Sequence, residues 1–346
     1  MWRLLLRARQ RAIPLIGSAP ALALAIYLPV VMLHTVASTQ MHRIDEPRVE
    51  VRQMGDPHRA LERILSSAIT TVEHLNAVAN DPDTSPLDRL VFANSPLLLE
   101  TPGMFSGHNN TPLGLYYTAS VSEGPGSRVV TLRYFLYFTD EDGGTPIRRR
   151  MGRYGHPFDG ELLFQVTFID DRVLSAYYQA PGHKLVWFPY QAGERPTFAI
   201  ASPNHNFRRV VRDEGPVVAF LPQNELSANP FHDPDFVALA AREARRQWNL
   251  DISHYVYVAF QNPVARVPVD VSVRVRGRWY HLHEVVLDGM PGASLTVQGY
   301  HQVGIRLGFT PRPEDIDEVR ITARSRQPVS VAIFALYVYS DPVVAA

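Results

Sequence analysis

Gly155-His156-Pro157-Phe158-Asp159-Gly160-Glu161-Leu162-Leu163-Phe164-Gln165-Val166-Thr167-Phe168 runs from a polar turn into a strand. From Glu161 to Phe168 the residues alternate with period two, which predicts a strand with one buried face. Leu162, Phe164, Val166 and Phe168 share a parity and are expected in the core. Asp159 and Glu161 have the opposite parity and are expected to project together from the other face. His156 precedes Pro157, where a bend can bring the imidazole round to the acids. One imidazole and two carboxylates suit a hard divalent ion such as Ca²⁺, Mg²⁺ or Mn²⁺. A polar strand entry with a solvated acid pair has the same spacing, and spacing alone leaves both readings open.

Working outward, period-two segments recur on both sides. Val129–Phe138, Val173–Tyr178, Thr197–Ala201 and Val217–Leu221 read as strands. After Leu250 nearly everything is strand: Tyr255–Phe260, Val269–Val275, Trp279–Leu287, Ser294–Val297, Gly304–Phe309, Glu318–Ala323 and Val329–Tyr339. That spacing suits a sandwich or jelly roll. Two helices interrupt the pattern. Asp56-Pro57 supplies an N-cap and a first-turn proline for a helix ending near Asn80, with Leu61, Ile64, Leu65, Ala68, Ile69, Val72 and Leu75 on its apolar side. Asp233-Pro234 repeats the signal for a helix reaching Asn249. Residues 81–112 read as loop-rich.

The N-terminus is of another kind. Residues 1–11 carry Arg3, Arg7, Arg9 and Arg11 and no acid, and Ala12–Leu33 holds 22 residues without a charge. At 1.5 Å per residue such a run spans a hydrocarbon core of about 30 Å. A cleaved signal peptide ending near Val36-Ala37-Ser38 is the competing reading, although its apolar core is typically only about 7–15 residues. The arginines place the N-terminus in the cytoplasm and the bulk of the chain outside it, periplasmic in a bacterial cell. The fold class read here is mainly β. Residues 1–11 form a cytoplasmic arm, 12–41 a transmembrane helix and its exit, and 42–56 a stalk. Residues 57–250 form a β-sandwich with flanking helices, and 251–346 a C-terminal β-sandwich or jelly roll.

Composition narrows the chemistry. The 346 residues carry 34 basic and 34 acidic side chains, so no net field steers the chain toward nucleic acid. Without a cysteine, disulfides, thiolate metal sites and a cysteine nucleophile are excluded. All but one of the basic residues are arginine, the exception being Lys184, a bias expected of a GC-rich bacterial genome. No P-loop, dinucleotide fingerprint or nucleophile elbow occurs, and His283-Glu284 lacks the second histidine of a zinc-protease helix because Leu287 stands there.

The heptapeptide Gly155–Glu161 resembles the G-H-R-H-D-W-E motif of the necrosis- and ethylene-inducing-peptide-like proteins (NLPs), with four positions shared. Arg133–Asp140 resembles the family's aromatic strand followed by an acid. Ser202-Pro203-Asn204-His205 stands where a later histidine-bearing strand ends, and Asn229–Phe236 is similar to the closing P-F-x-D-x-N-F run. The likeness covers about residues 85–248. It implies a central β-sandwich with flanking helices and one divalent cation, Ca²⁺ or Mg²⁺, held by Asp140 (or Asp142), His156, Asp159 and Glu161. It also implies engagement of glycan-bearing lipid head groups. The chain departs from the family at Pro157-Phe158 and Gly160, lacks the family's disulfide, and adds an anchor and a second β-domain.

Three functions follow as expectations. The first is a membrane-anchored, extracytoplasmic, non-enzymatic interaction protein, an accessory subunit of a membrane or envelope complex. The second is a glycan- or lipid-head-group-binding relative of the NLP cytolysins. The third is a metal-dependent hydrolase using a water on the same ligands. No catalytic residue is assigned. His183 and His205 read as loop histidines that could approach the site, and His254, His281, His283 and His301 as structural. Trp279, Tyr280 and Tyr300 suit either sandwich packing or a sugar-stacking platform. Arg148-Arg149-Arg150 reads as a solvated loop that could instead face lipid or an acidic partner.

Overall fold

The computed structural model describes residues 38–106, 111–124, 126–140, 147–225, 233–262, 269–282, 299–325 and 329–340. Strands β1 (Ser38–Asp45) and β2 (Glu50–Gln53) come first. Helices α1 (Ala60–Ala68), α2 (Val72–Asn80) and α3 (Pro86–Ala93) follow, with β3 (Ile69–Thr70) between the first two. Then come β4 (Leu97–Leu99), the long hairpin β5 (Pro112–Gly124) and β6 (Ser127–Phe138), and α4 (Ile147–Tyr154). Next are β7 (Asp159–Ile169), β8 (Arg172–Ala180), β9 (Lys184–Trp187), β10 (Thr197–Ile200), β11 (Phe207–Val210), β12 (Val217–Phe220) and β13 (Gln223–Asn224). Helix α5 (Pro234–Trp248) precedes β14 (Tyr255–Asn262), β15 (Val269–Val275), β16 (Arg278–His281), β17 (Gly299–Arg306), β18 (Ile316–Ser325) and β19 (Ala332–Ser340).

The chain is mainly β, and its described strands form four sheets. Sheet I has the order β1-β18-β15-β16, sheet II β17-β14-β19-β2, sheet III β13-β5-β6-β7-β8-β9 and sheet IV β11-β10-β4-β12-β3. Sheets III and IV face each other across a core that includes Leu132, Tyr134, Leu136, Phe138, Phe164, Phe198, Phe207 and Phe220. Sheets I and II enclose a second core rich in valine and isoleucine, from Val256 and Val258 to Val271, Val273, Val319 and Ile321. Between the two pairs lies a helical layer. Met151 of α4, Ile64 of α1 and Phe236–Ala240 of α5 pack against Tyr116 and Tyr137 of sheet III and against Tyr255, Tyr257, Tyr337 and Tyr339 of sheet II. The layers therefore run I, II, helices, III, IV, a face-to-face stacking that buries each sheet's alternating apolar face.

Helix α5 starts as Asp233-Pro234 predicts, with Asp233 capping the amides of Asp235 (2.7 Å) and Phe236 (3.4 Å). It ends on Asn249 in the left-handed conformation, φ 49°. The single helix expected from Asp56 to Asn80 is instead two helices. Ile69, Thr70, Thr71 and Val72 are a β-branched run that resists helix, and Ile69–Thr70 pairs with Phe220 and Ala219 of β12. Thr71 then restarts the helix by accepting from the His74 amide at 3.1 Å. Asp56 holds a turn before α1, accepting from the His58 amide, rather than capping the helix. The loop-rich reading of 81–112 misses α3, whose Ser85 cap and Pro86 start are of the same type as those of α5.

The stalk expected at 42–56 is not one. β1 pairs antiparallel with β18 from Ser38↔Ser325 to Asp45↔Glu318, and β2 pairs parallel with β19. The C-terminal pair of sheets therefore takes one strand of each sheet from ahead of residue 57. The boundary near 250 falls between α5 and β14, but the C-terminal unit is discontinuous in sequence. The expected transmembrane run Ala12–Leu33 lies outside the described residues. Among the described residues no helix is long and apolar enough to cross a membrane.

Candidate functional site

The site is built on β7, and a bulge decides its geometry. Tyr134 pairs with Phe164 and Phe135 with Leu162, so Leu163 is an extra residue in β7. The parity of the strand reverses across it. Asp159, opposite Phe138, and Glu161, opposite Leu136, consequently share the interior face with Phe164, Val166 and Phe168. The expectation that the two acids project from the non-core face is corrected by this bulge. Leu162 is half-buried, while Leu163 is buried. The consecutive apolar pair Leu162-Leu163 is the break in alternation that could have revealed it. Gly160 points the other way, where an added Cβ would meet the Tyr137 ring at 2.9 Å.

Both carboxylates are only 6% exposed, so each needs partners. Arg150 Nη1 donates to Asp159 Oδ1 at 3.3 Å and to the Phe158 carbonyl at 2.8 Å. His205 Nδ1 lies 2.8 Å from Asp159 Oδ2, and its ring stacks on Phe138 with centroids 4.0 Å apart. Arg148–Arg150 is thus not a solvated loop but part of α4, with the Arg150 side chain buried. Glu161 is met differently. Its Oε2 accepts from Gln179 Nε2 and from Asn206 Nδ2 (3.4 Å), and His183 Nδ1 lies 3.5 Å away. Asn206 in turn accepts from the Gly182 amide at 3.2 Å, tying the β8–β9 turn to β11. Asn204 Nδ2 lies 3.0 Å from His183 Nε2 at the exposed rim. Burial, reinforced by the charge of Asp159 and opposed by Arg150, pushes the Glu161 carboxyl up to about 8.

The other two expected ligands stand apart from this cluster. Asp140 follows the end of β6, buried, and its Oδ1 accepts from Thr139 Oγ1 at 3.3 Å. Asp142 lies outside the described residues. His156 folds back on its own turn, Nδ1 3.1 Å from the Phe158 carbonyl. It lines a pocket in the helical layer with Met151, Phe158, Val237, Ala240, Ile252 and Tyr339. Burial first, and then Arg150, push its imidazole down to about 3, so it stays neutral. The structure therefore unites Asp159 and Glu161, brings His205 and His183 to them in place of His156, and adds Arg150, Gln179 and Asn206. Sequence reasoning overlooked these last three because amides and an arginine in a run carry no spacing signature.

A hard cation favours the carboxylate oxygens of Asp159 and Glu161, and a buried carboxyl whose proton is held to about pH 8 is the kind of group that gains from a neighbouring positive charge. Arg150 already supplies one such charge to Asp159. Among the described residues no three histidine, aspartate or glutamate side chains are grouped as a ready ligand set. On the C-terminal sheets, Trp279 and Tyr280 are adjacent in β16 and point to opposite faces. Trp279 lies under Arg320 (4.1 Å), whereas Tyr280 packs on the core between sheets I and II, so the two do not share a platform.

Compared with known proteins, the chain matches no family model, no curated sequence and no solved structure.

Proposed function

We propose that the protein is a non-enzymatic binding protein, held by its N-terminal run in a bacterial membrane with both sheet pairs outside the cytoplasm. In this reading sheets III and IV are an NLP-like sandwich, sheets I and II a second sandwich of jelly-roll type, and the protein acts as an accessory subunit of an envelope complex. Its binding site is the acid–amide cluster of sheet III. The observation that carries the reading is Glu161: a carboxyl inside the sandwich, met by amides and an imidazole rather than by a guanidinium, with its proton held to about pH 8. Such a group gains from a bound cation, and Asp159 is the carboxylate that would share it. The cation would supply the charge through which a polar head group or partner is engaged.

An ion that binds only the folded state raises stability with its concentration. At pH 7.5, Ca²⁺ or Mg²⁺ should raise the melting temperature of the full chain over that in chelator, and Glu161→Gln should abolish the rise. A melting curve that neither chelator nor cation moves would remove the cation and leave a purely internal polar network. Purification in mild detergent tests the subunit reading, for which a stoichiometric membrane complex is the expected outcome. A second reading, direct binding of a glycan or lipid head group, is favoured by the rim residues Gln179, His183 and Asn204, with the exposed Trp187 on the adjoining strand β9 opposite Tyr177. A monomer that binds glycolipid vesicles would select it.

A further inference from the structure

We propose that the C-terminal pair of sheets sits directly on the lipid surface, by the end at which β1 begins. The proposal rests on the membrane-anchor reading and goes beyond it. With a stalk, either sandwich could face the membrane; without one, only a single arrangement is in reach.

The uncharged run ends at Leu33 and β1 begins at Ser38. Five residue steps reach at most about 18 Å. A domain of roughly 90 residues is about 30 Å across, so the tether is shorter than the body it holds. Nor can β1 lengthen the tether by peeling away, because it is paired residue by residue with β18 over its whole length. His42 Nε2, 2.8 Å from the Val329 carbonyl, adds a tie across the end of the sheet pair. The ends of β14 (Asn262) and β18 (Ser325) and the starts of β15 (Val269) and β17 (Gly299) gather where β1 begins. The occupant of this end is the lipid bilayer that holds the anchor.

The chain has no cysteine, so one introduced cysteine is a unique label. Two exposed positions report the geometry: Ser330 at the β1-start end and Glu314 at the opposite end of the same sheet pair. Ser330→Cys and Glu314→Cys, each with an unchanged melting curve, are labelled with a donor dye. They are then reconstituted as the full chain into phosphatidylcholine vesicles carrying a head-group acceptor dye. Energy transfer should be several-fold stronger from position 330 than from 314. Equal transfer from the two, in a chain that floats with the vesicles, overturns the proposal and leaves the anchor standing. A chain that does not float with vesicles after carbonate washing overturns the anchor, and the proposal with it.

Discussion

Glu161 is the residue with the largest stake in pH. Its folded carboxyl titrates at about 8 against an ordinary value of 4.5, so the folded state keeps a proton that the unfolded chain loses. Its contribution to stability is complete below pH 4.5 and is lost as pH rises through 8. His156 acts in the opposite sense. With its imidazole pushed down to about 3, the folded state refuses a proton that the unfolded chain accepts below 6.5, so stability falls as pH drops below that value. Of these two, only Glu161 operates between pH 6.5 and 8. In chelator, the wild type should lose stability across this window, Glu161 contributing at most about 1.4 kcal/mol per pH unit, and Glu161→Gln should remove that contribution. Melting curves at several pH values check this, and a flat wild-type profile would show that Glu161 ionises freely in the fold. Asp159 and Glu161 were legible as a pair on one face of one strand. Which face was not legible, because the answer depends on how β7 registers against β6.

At the scale of elements, that register is the bulge at Leu163. Deleting Leu163 removes the extra residue and leaves the pairs on either side of it in one regular ladder, so Asp159 and Glu161 keep the face they share with Phe164 and Val166. The melting temperature should fall, because a buried leucine is lost from the core between sheets III and IV. Adding Glu161→Gln to the deletion should still change the pH profile as it does in the full-length strand, which a double-mutant comparison of melting curves reads directly. Loss of the Glu161 effect in the deletion would show that the bulge itself, and not the pairing on either side of it, holds the acid inward. Other elements were more open to reading. Val269–Val275 was legible to the residue because it alternates without interruption between proline and glycine-containing turns. The break at Ile69–Thr70 was harder to see. A helical spacing of apolar residues continues through it, and only the partner strand β12 makes the extended conformation pay.

For the whole molecule, the consequence of the missing stalk is a test of what constitutes a domain. Residues 251–346 alone lack β1 and β2, exposing the sides of β18 and β19 on which those strands pair. They also bare the Tyr255, Tyr257, Tyr337 and Tyr339 face that packs on the helical layer. The isolated fragment should be largely unfolded or aggregated by circular dichroism and light scattering. A chain of residues 38–346 should melt as one cooperative unit, because the helical layer is shared by both pairs. A fragment 251–346 that folds as a stable monomer would contradict this account.

Local information sufficed wherever a property belongs to a segment. Period two marks strands, Asp233-Pro234 marks a helix start, an uncharged run of 22 residues marks a candidate membrane span, and the absence of cysteine closes whole classes of chemistry. The tertiary structure decided everything that depends on a partner distant in sequence. It drew residues 38–53 into sheets whose partner strands lie far along the chain, at residues 318–325 and 337–340, set the face on which Asp159 and Glu161 point, and exchanged His156 for His205 and His183 around them. The reason is physical. A strand's hydrogen bonds and a buried charge's counter-charge are satisfied by whatever the fold brings alongside, and nothing in the spacing of neighbouring residues specifies what that will be.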